Sequence, residues 1–197
     1  APSWLSFLLI AFLAAAMATY YSLAGYLISY TYKKFNSRII TLLFFAPSLW
    51  VMMEWIRGYL FSGFPWYTLG YSQTSSWLTA WAPIGGVHMM SYIVALSSSL
   101  ILLIYLKIKP YRFLAILSSV CFGSFFLQSI EWTESKGRPL TAMLVQGGVL
   151  QENKWLRSEF NNTLNLYKDS LIASEGLDLV IWPEVAIPAS AQRVKPY

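Results

Sequence analysis

Charge, cysteine and histidine are scarce in this chain, and each scarcity excludes something. Of 197 residues, 12% are charged, one is cysteine and one is histidine. Cys121 stands alone, so no internal disulfide forms and pairing says nothing of redox compartment. His88 has no second ligand at metal spacing; no metal site and no cofactor are expected, and a satisfied polar contact between helices is the reading for it. Acids are nearly missing from the first 130 residues, where Glu54 is the sole example. No basic run interleaved with aromatics forms a patch, which excludes a nucleic-acid partner. The first residue is Ala, and no basic stretch precedes the first apolar run, so an intact signal peptide is not expected and the natural start is expected to lie upstream.

Apolar residues fill the space: 56% are hydrophobic and 17% aromatic, the profile of an integral membrane protein with several interface crossings. Four long apolar segments, at about 5–30, 39–61, 83–106 and 113–130, reach or approach the ~20 residues a helix needs to span a bilayer. Lipid offers no partner to a bare amide, so these must be helices. The short junctions carrying Lys33, Lys34 and Arg38, and Lys107, Lys109 and Arg112, fall on one side, which the positive-inside rule assigns to the cytoplasm. The uncharged junction 58–82 then faces out, as does everything after Ile130. Its aromatic, Gly- and Pro-punctuated sequence fits either a re-entrant or interfacial segment shaping a lipid entrance or an aromatic belt at helix ends.

Eight of the nine acids lie beyond residue 130, which marks a boundary: residues 1–130 as the membrane region, 131–139 as linker, 140–197 as an extracytoplasmic domain. There, Leu140–Gln146 reads as a buried strand, a helix is predicted over 152–174 from Leu156, Phe160, Leu164, Tyr167 and Leu171, and Leu177–Trp182 reads as a second buried strand. Strand, helix, strand predicts a βαβ unit in a parallel, doubly covered sheet. So small a unit is the beginning of a larger α/β domain.

Among candidate residues, Glu184 comes first: it is a carboxylate just past a strand's C-terminal end, where open α/β sheets place their ligands, and is read either as a general base or as a turn-capping acid. Glu54 and Arg57, three apart on one helix face, read as a self-neutralising structural pair more readily than as a functional one. Trp155 suits either an acyl-chain contact or cover of the site, or else a hydrophobic staple. Cys121, expected buried among Val120, Phe122 and Phe125, is rejected as a nucleophile because apolar surroundings disfavour the thiolate.

Several motifs together resemble the apolipoprotein N-acyltransferase family. Val145-Gln146-Gly147, Lys154-Trp155 and Ile181-Trp182-Pro183-Glu184 with Ile187-Pro188 are similar to the opening of its nitrilase-like domain. Glu54-Trp55-Ile56-Arg57-Gly58, Gly63-Phe64-Pro65-Trp66 and Leu69-Gly70-Tyr71-Ser72-Gln73 look like its outer loop. The resemblance implies a bacterial inner-membrane bundle of eight helices bearing a periplasmic αββα-sandwich domain. It also implies ping-pong transfer of an acyl chain from a phospholipid to the α-amino group of an apolipoprotein's diacylglyceryl-cysteine. A Glu-Lys-Cys triad carries that reaction through a thioester; Glu184 matches the base and Trp155 a tryptophan near the substrate. Neither Lys195 nor Cys121 sits in the motif of the other two members. The chain is thus expected to be an internal fragment, its helices the fourth to seventh of the family, inactive alone for want of the nucleophile. The rivals are a membrane-anchored nitrilase-type amidase or acyltransferase and a non-enzymatic truncated remnant; paired broken helices of the transporter kind are not evident.

Overall fold

The structure, a computed structural model, describes residues 2–189, apart from the side chain of Phe61. Lys195 lies outside the described residues, as does the end of the expected domain. The chain divides into two compact units, Ala1–Glu134 and Ser135–Tyr197, each described by itself.

The first unit holds helices α1 (Ser3–Phe35), α2 (Arg38–Tyr59), α3 (Ala82–Tyr105) and α4 (Pro110–Gln128). All four are long and apolar enough to cross a membrane, the third together with the turn Trp77–Trp81 that leads into it. Asn36 ends α1 in the left-handed conformation (φ 46°), and Ser37 caps α2 by accepting from the Ile40 amide at 3.3 Å. Lys33 and Lys34 in the last turn of α1 complement its dipole. Pro110 at the first position of α4 loses no hydrogen bond there. A groove lined by Lys33 and Arg38, and by Leu102 and Leu106 at the end of α3, brings the two basic junctions to one end of the bundle.

Packing is concentrated on the inner faces. Leu100, Leu103 and Phe113 form one cluster with Ile39, Leu42 and Leu43, and Leu78, Ile93 and Val120 form another with Trp81 and Tyr92. The outer faces carry Phe7, Phe12, Tyr105, Phe122 and Phe125, all exposed, which suits a hydrocarbon surround and not water. Cys121 is on that outer face, not buried inside as expected. Its apolar neighbourhood is the medium around the helix and not the core.

Two helices depart from regularity. Residues Thr41–Phe45 of α2 widen into a π-helical turn just before Pro47, whose missing N–H cannot continue the regular ladder. Helix α3 is interrupted at Gly85 (φ −156°, ψ 27°) and Gly86 (φ 63°, ψ −157°), where an unbroken helix over 83–106 was the expectation. Gly86 takes a conformation that an L side chain resists, so hydrophobic length alone hid the break.

In the second unit, β1 (Ala142–Leu144) pairs parallel with β2 (Leu179–Ile181), Met143 opposite Val180, and α5 (Phe160–Ala173) connects them. The order of elements is the expected one, but three expectations need correction. The strands are three residues each, shorter than 140–146 and 177–182, and they are not buried on both faces: Leu144 is 76% exposed and Leu179 and Ile181 are also exposed. The sheet has two strands and a single connecting helix, so the doubly covered sheet is not present among the described residues. Finally, α5 begins at Phe160 and not at residue 152. Residues 151–159 form turns, with Asn153 and Leu156 amides bonded three residues back. Leu164 and Tyr167 bury their side chains, whereas Leu156 is exposed and gives the first predicted turn nothing to pack against.

Candidate functional site

The segment after β2 is fixed from beneath. Trp182 lays its ring against Tyr167 (centroids 5.1 Å apart) and donates from Nε1 to Ser170 Oγ at 3.2 Å, so the strand end is held on α5. Pro183 has no amide for the ladder and pairing stops. Glu184 follows in an exposed turn whose next residue, Val185, has φ 52°. The Glu184 carboxylate has no hydrogen-bond partner among the described residues. Its backbone carbonyl accepts from Lys154 Nζ at 3.3 Å, which ties the turn holding Trp155 to the turn holding Glu184. Trp155 itself is 65% exposed, so it does not serve as a staple under the helix start.

A third segment closes the group. Gly147, just past β1, lies so near α5 that a Cβ there would meet the Tyr167 hydroxyl at 2.4 Å. The stretches 145–147, 154–155 and 182–184 therefore gather at the C-terminal ends of both parallel strands, around Tyr167. That edge is where parallel sheets open to ligands. An exposed carboxylate on a braced turn, without a partner among the described residues, has the chemical character of a general base.

Opposite that edge, Asp178 clamps the start of the sheet. Its Oδ2 accepts from the Thr141 amide and hydroxyl, both at 3.0 Å, and Oδ1 pairs with Arg138. The Thr141 bonds, and then Arg138, hold the Asp178 carboxyl below the usual carboxylate range. Sequence reasoning passed over this clamp, although an Asp directly before a strand is a signal for it.

In the first unit, the outer loop folds back on the bundle through short turns at Leu60–Ser62, Leu69–Gln73 and Trp77–Trp81. Glu54, 4% exposed, organises it: Oε1 accepts from Trp50 Nε1 (2.9 Å) and from the Leu69 amide (2.7 Å). The Gly70 amide donates to Ser91 Oγ at 2.8 Å, and Trp81 Nε1 donates to Ser124 Oγ at 2.7 Å. The expected Glu54–Arg57 pair is not formed; the ion pair among the described residues is Arg138–Asp178. Loop closure takes Oε1 of Glu54, while its Oε2 and the Arg57 Nε and Nη2 are buried with no hydrogen-bond partner among the described residues. For His88 the satisfied polar contact is not found: it lines a groove with Trp55 and Tyr92, and its buried Nδ1 has no partner among the described residues.

Comparison with known proteins bears on the whole arrangement. A family profile described as the apolipoprotein N-acyltransferase N-terminal domain matches residues 1–100. The chain is 38% identical over 190 residues to the apolipoprotein N-acyltransferase of Methylococcus capsulatus, covering 94% of this chain and 37% of that protein. It is likewise 38% identical to that of Chromobacterium violaceum (95% and 36%) and 34% identical to that of Vibrio vulnificus (90% and 36%).

This chain belongs to the apolipoprotein N-acyltransferase family.

It spans little more than a third of the length of these relatives. As a member of that family it is a membrane protein, and the profile match takes in α1, α2, the Glu54-anchored loop and most of α3. The loop and the edge around Glu184 are thus parts of a chain of that family.

Proposed function

We propose that this chain supplies the membrane platform and the general base of an enzyme that moves an acyl chain from a phospholipid to the α-amino group of an apolipoprotein's diacylglyceryl-cysteine. The single observation carrying this reading is Glu184 itself: a carboxylate without a partner among the described residues, on a turn braced by Trp182 and Lys154, at the C-terminal edge of a parallel sheet. Family membership supports lipoprotein N-acylation as the chemistry that this acid serves. The second unit is then the opening of a nitrilase-like αββα domain, and Trp155, exposed beside Lys154, stands where it can touch an acyl chain. The partners are the phospholipid donor and the apolipoprotein acceptor, and no cofactor enters.

The steps balance without one. Glu184 takes the proton of a cysteine thiol; the thiolate attacks the donor's ester carbonyl, the C–O bond breaks and the lysophospholipid alkoxide leaves with the proton from Glu184. The acceptor amine then attacks the thioester, the C–S bond breaks, and Glu184 takes the amine proton and passes it to the departing thiolate, which restores the thiol and the carboxylate. A lysine stabilises the charge on the tetrahedral oxygen. The cysteine and lysine are not residues of this chain: Cys121, its one cysteine, is within membrane-crossing α4 and in the other unit. The chain alone is therefore inactive.

Both basic junctions at one end of the bundle support a cytoplasmic assignment for that end, with the outer loop and the second unit in the periplasm of a bacterial inner membrane. The test is N-acylation of a diacylglyceryl lipopeptide in phospholipid vesicles, read by mass. The 197-residue chain gives no product, whereas the same chain joined to the remaining C-terminal part of the Methylococcus capsulatus relative does. Turnover by the chain alone, or hydrolysis of a soluble amide in place of lipopeptide acylation by the joined protein, refutes the reading.

A further inference from the structure

Val185 follows the acid at the sheet edge in a conformation that valine avoids. Glu184 and Val185 are the central residues of the turn after β2, and Val185 has φ 52°. That place in a turn suits glycine or asparagine, and a β-branched residue there is a strained exception. Strain of this kind persists only where the surroundings hold it. Relief is one rotation away: turning the peptide plane between Glu184 and Val185 returns Val185 to negative φ and points the Glu184 carbonyl to the opposite side.

Lys154 opposes that rotation. Its Nζ donates to the Glu184 carbonyl oxygen, the atom that the rotation would carry away, at 3.3 Å. The lysine is itself anchored: it is half-buried, and its amide donates to the Leu150 carbonyl at 3.0 Å. On the other side, Trp182 fixes the chain two residues before Glu184 to Tyr167 and Ser170 of α5. Lys154 bonds the backbone of Glu184 and not its carboxylate; the ion pair among the described residues is Arg138–Asp178. The side chain of the acid is left unpaired while its backbone is held. Rotating the peptide would also change ψ of Glu184, and the rotamers open to a side chain depend on ψ, so the held peptide selects where the carboxylate stands.

We propose that Lys154 is a positioning residue for acyl transfer. It locks the Glu184–Val185 peptide in its strained orientation and so sets the direction of the Glu184 carboxylate, without touching the carboxylate or the substrate. The inference rests on the reading of Glu184 as the general base. A fixed direction matters to a base because proton transfer requires it within hydrogen-bond reach of the proton it takes.

The test uses the chain joined to the C-terminal part of the Methylococcus capsulatus relative, with lipopeptide acylation in phospholipid vesicles read by mass. Lys154→Met, similar in length but without a donor, lowers kcat about tenfold while KM for the lipopeptide stays within about twofold, a smaller loss than removal of the base itself. Lys154→Arg, which keeps a charged donor, recovers most of the rate. In a Glu184→Gln background, Lys154→Met costs nothing further, because the group it positions is gone. The acid limb of the kcat–pH profile does not move in Lys154→Met. Should Lys154→Met fail to fold, Lys154→Gln carries the same comparisons. Unchanged kcat, a loss in Lys154→Arg equal to that in Lys154→Met, or a further loss in the Glu184→Gln background overturns the proposal. So does a displaced acid limb, the result if the ammonium acts by its charge on the carboxylate. Absence of product from the unsubstituted joined protein is a separate failure: it refutes the reading of Glu184 and takes this inference with it.

Discussion

At the scale of single residues, close approach and hydrogen bonding dictate identity. Gly70 is buried, and a Cβ there would lie 2.2 Å from the Val87 carbonyl oxygen, whereas one at Gly58 would meet nothing within 4 Å. Gly70→Ala should therefore destabilise the first unit by about 1–3 kcal/mol, the usual range for overpacking, while Gly58→Ala in α2 should not; midpoints of denaturant unfolding in detergent compare them. Asp178 gives a pH dependence with a definite sign. Its folded pKa is lowered, so its contribution is complete above the unfolded carboxylate value near 3.8 and is lost as pH falls through the folded value below that. Amide exchange at Leu179 should stay slow down to about pH 4 and quicken below it; Asp178→Asn should remove that acid transition. Glu184 was legible as a candidate because a strand-ending Trp-Pro leaves the next acid in a turn. Its tie to Lys154 was not, since the contact links residues 30 apart through a bend whose path no local pattern specifies.

At the scale of elements, the four long helices were readable because lipid-facing length is written into composition. Their irregularities were not. Nothing in the hydropathy of Ile84-Gly85-Gly86-Val87 distinguishes two glycines inside a helix from two that break it, and Gly70 packed under Val87 shows that the tertiary fit decides. Because Gly86 has φ 63°, Gly86→Ala should cost about 1–2 kcal/mol in the same unfolding assay, although its Cβ would meet no neighbour. The Glu54–Arg57 spacing misled in a comparable way. Helical geometry put both on one face, but Oε1 of Glu54 bonds the Leu69 amide in the returning loop and no ion pair joins Glu54 to Arg57. In α5, periodicity found the buried pair Leu164 and Tyr167 and overran the start, where exposed Leu156 has no core to reach.

At the scale of the whole molecule, a bundle with exposed apolar faces is joined in sequence to a small parallel βαβ unit that carries most of the acids. The topology proposed from charge placement is open to direct test. In a Cys121→Ser background, Tyr67→Cys in the outer loop should react with a membrane-impermeant maleimide in intact spheroplasts, while Asn36→Cys should react only after lysis. The reverse pattern would place the basic junctions outside. The central claim is that Glu184 is the base of lipoprotein N-acylation, and the most direct measurement is Glu184→Gln in the chain completed with the Methylococcus capsulatus C-terminal part. Acylation of the lipopeptide should fall by at least about 100-fold, the loss expected when a general base is removed, with the protein still inserted and folded. An unchanged rate of acylated product would contradict the account.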